Sequence, residues 1–269
     1  MSIYLGNQKV SPLIVVKENK LGKFIDGSLT EITADDLVGV TKISKNAFYK
    51  NGSVISITIP NSITSIGDEA FSNCRIAYVI IQSGLTIIGH YAFRECSYLK
   101  NIELPNSLTS IGMYAFSNCS ALESIELPNS LTSIGGSAFQ GCKFKNIVIP
   151  NKITSIEAST FLGCQNLTTV VIQGSVKSIG YAAFYNCAKL ISITIPNTVT
   201  TLESRALEIG NSTNKATITF KSTTPPTIAS STFNASYLEK IIVPKGAGET
   251  YKSATNWERY ADIIEEATE

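Results

Sequence analysis

Six cysteines are the first residues able to carry chemistry: Cys74, Cys96, Cys119, Cys142, Cys164 and Cys187. Taken alone, an even number suggests three disulfides in a secreted protein, or thiolates gathered around a metal. Their spacings, 22, 23, 23, 22 and 23 residues, argue otherwise. Each cysteine is the same position of a successive unit, and Asn51, Gly210 and Ser236 fill that position elsewhere. The expectation is a ladder of buried, reduced thiols acting as small hydrophobes. Rungs at about 4.8 Å fall within the Cα range of a disulfide, but parallel stacked side chains give it poor torsions. No C-x-x-C and no paired histidine is present, so no metal site is expected.

His90 is the one imidazole, and a Ser-His-Asp or Cys-His machine would have to use it. Its counterparts in other units are Asp68, Met113, Gly136, Ala158, Tyr181 and Ser204, a mixture that marks a solvated position. Phosphate-cradling glycine loops are absent. Glu103 and Glu126 share one outward position in neighbouring units, which would set them about 5 Å apart. Such a pair could serve acid–base work or calcium. With Lys100 and Lys145 beside them, a solvated pair is the expectation. No catalytic residue, cofactor or enzymatic activity is assigned.

The elements that position these residues come from repetition. The Ala-Phe phrases IGDEAFSNC (66–74), IGHYAFREC (88–96), IGMYAFSNC (111–119) and their copies put phenylalanine at 48, 71, 93, 116, 139, 161 and 184, with Leu207 and Phe233 continuing the series. Between them runs Leu99-x-x-Ile102-x-Leu104-Pro105-Asn106-Ser107-Leu108-x-x-Ile111, and again from Leu122 to Ile134. I-x-[IL] alternates with period two and reads as a short half-buried strand. Pro-Asn ends it, because proline cannot donate to a ladder and asparagine suits a turn. L-T-S-I is a second extended piece, and G-x-x-A-F-x-x-C a tight turn with helical or 3₁₀ twist. A unit of about 23 residues cannot bury its apolar face alone, so the units must stack. Ile102, Ile125 and Ile147 then share one internal ladder; Phe93, Phe116 and Phe139 share another.

The predicted fold is a β-rich α/β solenoid, a right-handed leucine-rich repeat stack of about nine 22–23-residue coils with parallel strands, capped at both ends. Residues 1–40 form an N-terminal cap with a degenerate half-repeat. Hairpins are predicted around Gly6-Asn7 in 2–16 and around Asp26-Gly27 in 24–32. Residues 41–244 are the solenoid. Residues 245–269 are a helical lid, because Tyr251, Ala254, Trp257, Tyr260, Ala261 and Ile264 fall at helical spacing.

Composition agrees. The 269 residues carry 22 Lys+Arg against 21 Asp+Glu, a formal charge of +1. That balance offers nothing to nucleic acid or anionic membranes. With 43% hydrophobic residues the chain is too apolar to be disordered. No run approaches the ~18 apolar residues of a spanning helix, so no membrane insertion is expected. Residues 1–6 show no basic start and no apolar core of a signal peptide, which leaves a cytoplasmic location open.

The unit L-x-x-I-x-[IL]-P-N-S-[LIV]-T-S-I-G-x-x-A-F-x-x-C resembles the BspA-like leucine-rich repeat family of bacteria and some protozoan parasites, over residues 29–244. The tail V-P-x-G…Y-K…W-x-x-Y-A-D-x-I resembles the segment closing many such proteins, and IYLGNQKVSP resembles short openings in proteins of gut Firmicutes and their phages. The resemblance implies a non-enzymatic, curved binding solenoid, secreted or at the cell surface and often adhesive.

Binding residues are sought where the repeat does not demand identity. The outward column of the strands runs Thr58, Ile80, Glu103, Glu126, Val148, Val171, Thr194; beside it run Ser56, Tyr78, Asn101, Ser124, Asn146, Thr169, Ser192. Tyr78, Ile80, Asn101, Glu103, Glu126, Val148 and Val171 make the candidate surface, since the fold does not need the apolar ones to be apolar. His90, Tyr91, Met113 and Tyr114 make a second patch on the Ala-Phe arc. The expected partner is a protein or a glycan, engaged by a monomer or weak oligomer. The alternative is a structural or assembly component, phage-related or at the cell surface, that makes its contacts through the caps.

Overall fold

The computed structural model describes residues 29–268 and, before them, the backbone of four strands, Ile3–Leu5, Gln8–Val10, Ile14–Lys17 and Lys20–Phe24. The chain winds as a parallel-strand β-solenoid of about ten turns with little helix. Each turn has three sides: the I-x-I strands, the T-S-I strands and the Ala-Phe arc.

On the strand face, Glu31–Ile32, Ser56–Ile59, Tyr78–Ile81 and Asn101–Ile102 pair in parallel, with Thr58 beside Ile80. Asn146–Ile149 pairs with Thr169–Ile172, and Ser192–Ile195, Ala216–Phe220, Leu238–Val243 and Ile264–Glu266 form a third sheet. Parallel strands are predicted in every coil; their pairing on this face falls into three segments. Pairing stops at Ile102, one residue before Glu103, and Ser124–Leu127 is not in a strand. Like charges opposite one another disfavour pairing, and Glu103 and Glu126 occupy that step.

The arc holds the stack together. Tyr114, Phe116 and Asn118 donate to the carbonyls of Gly136, Ala138 and Gln140 in the next turn at 3.0, 2.8 and 2.7 Å, and equivalent bonds run from Phe48 to Thr232. This geometry needs left-handed backbone twice per turn. Tyr91, Tyr114 and Ser137 have φ of 57°, 55° and 57°; Asn73, Glu95, Asn118 and Asn186 have φ of 61°, 59°, 59° and 60°. Asparagine and glycine before the cysteine follow from that requirement. Inside the arc the rings of Phe48, Phe71, Phe93, Phe116, Phe139, Phe161 and Phe184 stack with centroids 4.8–5.7 Å apart. All seven are buried, as are the isoleucine ladder and the Leu99, Leu122, Leu167 and Leu190 positions.

Two predicted caps take another form. Ile3–Leu5 does pair antiparallel with Gln8–Val10. The second predicted hairpin turns on Asp26-Gly27, and residues 25–28 lie outside the described residues; Ile14–Lys17 pairs antiparallel with Lys20–Phe24. Lys20 and Leu21 sit beside Lys42 and Ile43 in parallel, so this hairpin supplies the first rung of the T-S-I sheet and covers its open edge. Glu31–Ile32 is an ordinary rung.

At the other end no single helix forms. Gly248–Lys252 is one α turn, Glu258–Ile263 is 3₁₀, and Ile264–Glu266 is a strand beside Ile241–Val243. Asn256 interrupts the helix with φ of 70°. The periodic apolar residues instead fill the end of the core: Trp257 packs on Phe220 and Phe233 at 5.2 and 5.7 Å and donates its Nε1–H to the Pro226 carbonyl at 2.9 Å. Tyr251 and Tyr260 donate to the carbonyls of Ser222 and Phe233.

Candidate functional site

The cysteines are all free, buried and on one line. Each thiol donates to the phenylalanine carbonyl of the preceding turn, as Cys119 does to Phe93 at 3.1 Å and Cys142 to Phe116 at 3.1 Å. That carbonyl also accepts the backbone N–H of the cysteine in its own turn, as Phe93 does from Cys96 at 3.2 Å, so the thiol fills space and gives the carbonyl a second donor. Burial pushes the Cys74 and Cys164 thiols up to about 12, and holds the other four well above the ordinary thiol range. Burial in this way favours the neutral thiol over the thiolate at neutral pH. Among the described residues no group of three or more His, Cys, Asp or Glu is placed to hold a metal ion.

His90 is exposed, and its Nδ1 accepts the Met113 N–H at 2.9 Å, a coil-to-coil bond that Asp68 makes to the His90 N–H one turn earlier at 2.8 Å. Its role is that of a turn-stacking acceptor. Tyr91 and Tyr114 stack at 5.0 Å with planes 4° apart, Arg94 lies 5.7 Å over Tyr91, and Met113 is exposed beside them. The second candidate patch is therefore contiguous. Its tyrosines are half-buried rather than fully exposed, because each covers one face of the other.

The strand-face candidates all point outward on neighbouring rungs. Tyr78 and Ile80 are 54% and 61% exposed, Val148 and Val171 45% and 46%. Asn101, Glu103 and Glu126 are exposed between these two apolar shelves. Where the sheet parts, a polar recess of about 420 Å³ lies between the Asn101–Asn106 and Ser124–Glu126 segments and includes both carboxylates. The candidate surface is thus an acidic, recessed centre between two apolar shoulders. Ile55 and Ile191, exposed one position before the strands, extend the shoulders and were missed by the sequence reading, which looked only at the two columns inside the strand.

Comparison with known proteins places this geometry. Family models of the BspA type leucine rich repeat region match residues 22–145 and 132–257. The chain belongs to the BspA-type leucine-rich repeat family. Among solved structures it is similar to a leucine rich repeat protein of T. pallidum, at 27% identity over 68% of this chain and 91% of that one, with a TM-score of 0.60. It is also similar to a leucine rich cell surface protein of Faecalibacterium prausnitzii (22% identity, 100% and 95% covered, TM-score 0.49) and to a leucine-rich repeat protein of Bacteroides ovatus (22%, 96% and 91%, 0.49). No curated protein matches the chain. Among the described residues no helix is long and apolar enough to cross a membrane.

Proposed function

We propose that this chain is a non-catalytic recognition module that binds a protein or glycan through its strand face and acts outside the cell or at its surface. A repeat-based binding or adhesion role is what the family suggests. The observation that carries the reading is the exposure of Tyr78 where other coils hold Ser56 and Ser192, and of Ile80, Val148 and Val171 where other coils hold Thr58 and Thr194. Exposed apolar side chains with a rim of polar ones are the composition of a contact surface. The carboxylates at the centre favour a partner that brings a cation or hydroxyl donors between two apolar contacts.

The test is capture. Purified protein is offered to glycan arrays and to extracellular proteins of its environment, beside a variant altered at Tyr78 and Ile80. Loss of the captured partner in the variant, with melting unchanged, supports the strand face. Retention in the variant together with loss on removal of residues 1–28 transfers the contact to the caps and makes the chain an assembly component.

A further inference from the structure

Among the described residues the T-S-I sheet has one open rung. In nearly every other turn a threonine or lysine N–H and the residue after isoleucine donate to the turn before: Thr109 to Thr86 at 2.9 Å and Gly112 to Ile88 at 2.8 Å, Lys177 to Thr154 at 2.8 Å and Gly180 to Ile156 at 2.8 Å. Between Ser133–Ile134 and Ser155–Ile156 the sheet divides. The Thr154 and Glu157 N–H groups and the Thr132 and Ile134 carbonyls face each other unbonded. The arc beside them stays closed, with Ser137 donating to Ala158 at 2.9 Å and Phe139 to Thr160 at 3.0 Å. The opening is therefore a wedge hinged on the arc.

Three residues of one turn set this rung apart. Gly112 and Gly135 exist because a Cβ there would lie 2.5–2.6 Å from the backbone of the preceding turn; the next turn has Glu157 instead. Glu203 shares that position, yet its rung closes, because its carboxylate reaches back to accept the Tyr181 N–H at 2.8 Å. Glu157 gives its carboxylate to Ser155 of its own turn. Lys152 stands at the position where the hydroxyls of Ser62, Ser107 and Ser130 bond the preceding turn, Ser107 to Leu85 at 2.7 Å. Phe144 sets its ring edge-on against Phe139 and Phe161, where the phenylalanine stack is widest at 5.7 Å.

The cavity over this rung measures about 570 Å³ and runs from His90 and Met113 to Glu157 and Ala158. One residue of extended chain occupies roughly 160 Å³ at strand and sheet spacings, so three residues fit. Unbonded donors and acceptors spaced along a strand edge, otherwise left to water, match the spacing of another extended backbone. Glu157 is the one carboxylate on the lining, and no lysine or arginine shares it. We propose that the open rung between Ser133 and Ser155 docks a short extended peptide that carries a basic residue, by backbone addition, at a site separate from the strand face.

The probe is a pool of capped pentapeptides with a central lysine between β-branched residues, at about 1 mM, as short strands bind weakly. Amide exchange of the whole chain is the readout. Free protein should exchange at Thr154 and Glu157 at least tenfold faster than at Lys177 and Gly180, and the pool should slow both at least tenfold. A central glutamate should weaken this at least fivefold, and N-methylation of the peptide backbone should abolish it. Glu157→Gly should close the rung, protecting position 154 without peptide, whereas Glu157→Gln should keep it open and lose the lysine preference. Protection at Thr154 and Glu157 in the free chain, no slowing by the pool, or equal slowing by N-methylated or glutamate peptides overturns the proposal.

Discussion

The Cys119 thiol donates to the Phe93 carbonyl one turn back, 3.1 Å away, and the same bond recurs from Cys74 to Cys187. Six thiols in this setting should be inert while the chain is folded. Thiol counting should find none reactive in native buffer and six after denaturation without reductant. Two or fewer in the denatured count would mean disulfides and would remove the ladder.

The same burial makes stability depend on alkaline pH. Each thiol's pKa is raised on folding, so the native state binds more protons than the unfolded one above about pH 8.5. The stabilisation is whole below the unfolded thiol value and is lost as pH climbs towards about 12. Each cysteine adds a slope of up to about 1.4 kcal/mol per pH unit in that window. Cys119→Ala should flatten the pH 9–11 decline in urea midpoint; an unchanged slope would show that the thiols titrate normally.

Phe116 and Tyr114 are two residues apart on the same arc, one inside and one outside. Phe116→Ala should cost about 3–5 kcal/mol, because it empties a slot between Phe93 and Phe139. Tyr114→Ala loses its stack on Tyr91 and should cost under about 1 kcal/mol. Equal losses in denaturant titrations would mean the arc is inverted.

Gly112 shows how closely the turns approach. A Cβ there would sit 2.6 Å from Gly89 C and His90 N, both backbone atoms. Gly112→Ala should therefore cost about 2 kcal/mol, in the overpacking range, while Gly52→Ala, in open space, should change little. A melting shift of the same size for both would show that the glycine ladder is not a contact.

What could be read in the sequence was whatever recurs. Phe116, Cys119, Ile125 and Gly112 declare their environments because neighbours 22 or 23 residues away repeat them, and parallel stacking gives each copy the same surroundings. The caps and the breaks occur once. The 3.6-residue spacing from Tyr251 to Ile264 is real, but the aromatic residues answer to Phe220 and Phe233 rather than to a helix axis. The parted rungs hide for another reason. Glu157 resembles Glu203, and what separates them is where each carboxylate finds a donor, which no pattern of residue types records.

The strand face is the last expectation, and its energy should be uneven. Tyr78 and Ile80 project from one rung, and Glu103 and Glu126 follow Ile80 along its column, a patch about 10–15 Å long at strand spacing. Truncating a central anchor commonly costs 2 kcal/mol or more, about thirtyfold in affinity, while rim positions cost little. Tyr78→Ala with Ile80→Ser should weaken the captured partner at least tenfold by surface plasmon resonance. The buried isoleucine and phenylalanine ladders are untouched by it, so melting should stay within a few degrees. Thr194→Ala, on the third sheet segment of the same face, should leave affinity unchanged. A silent double variant, or a Thr194 variant that binds as poorly, would show that these rungs only support contacts made elsewhere.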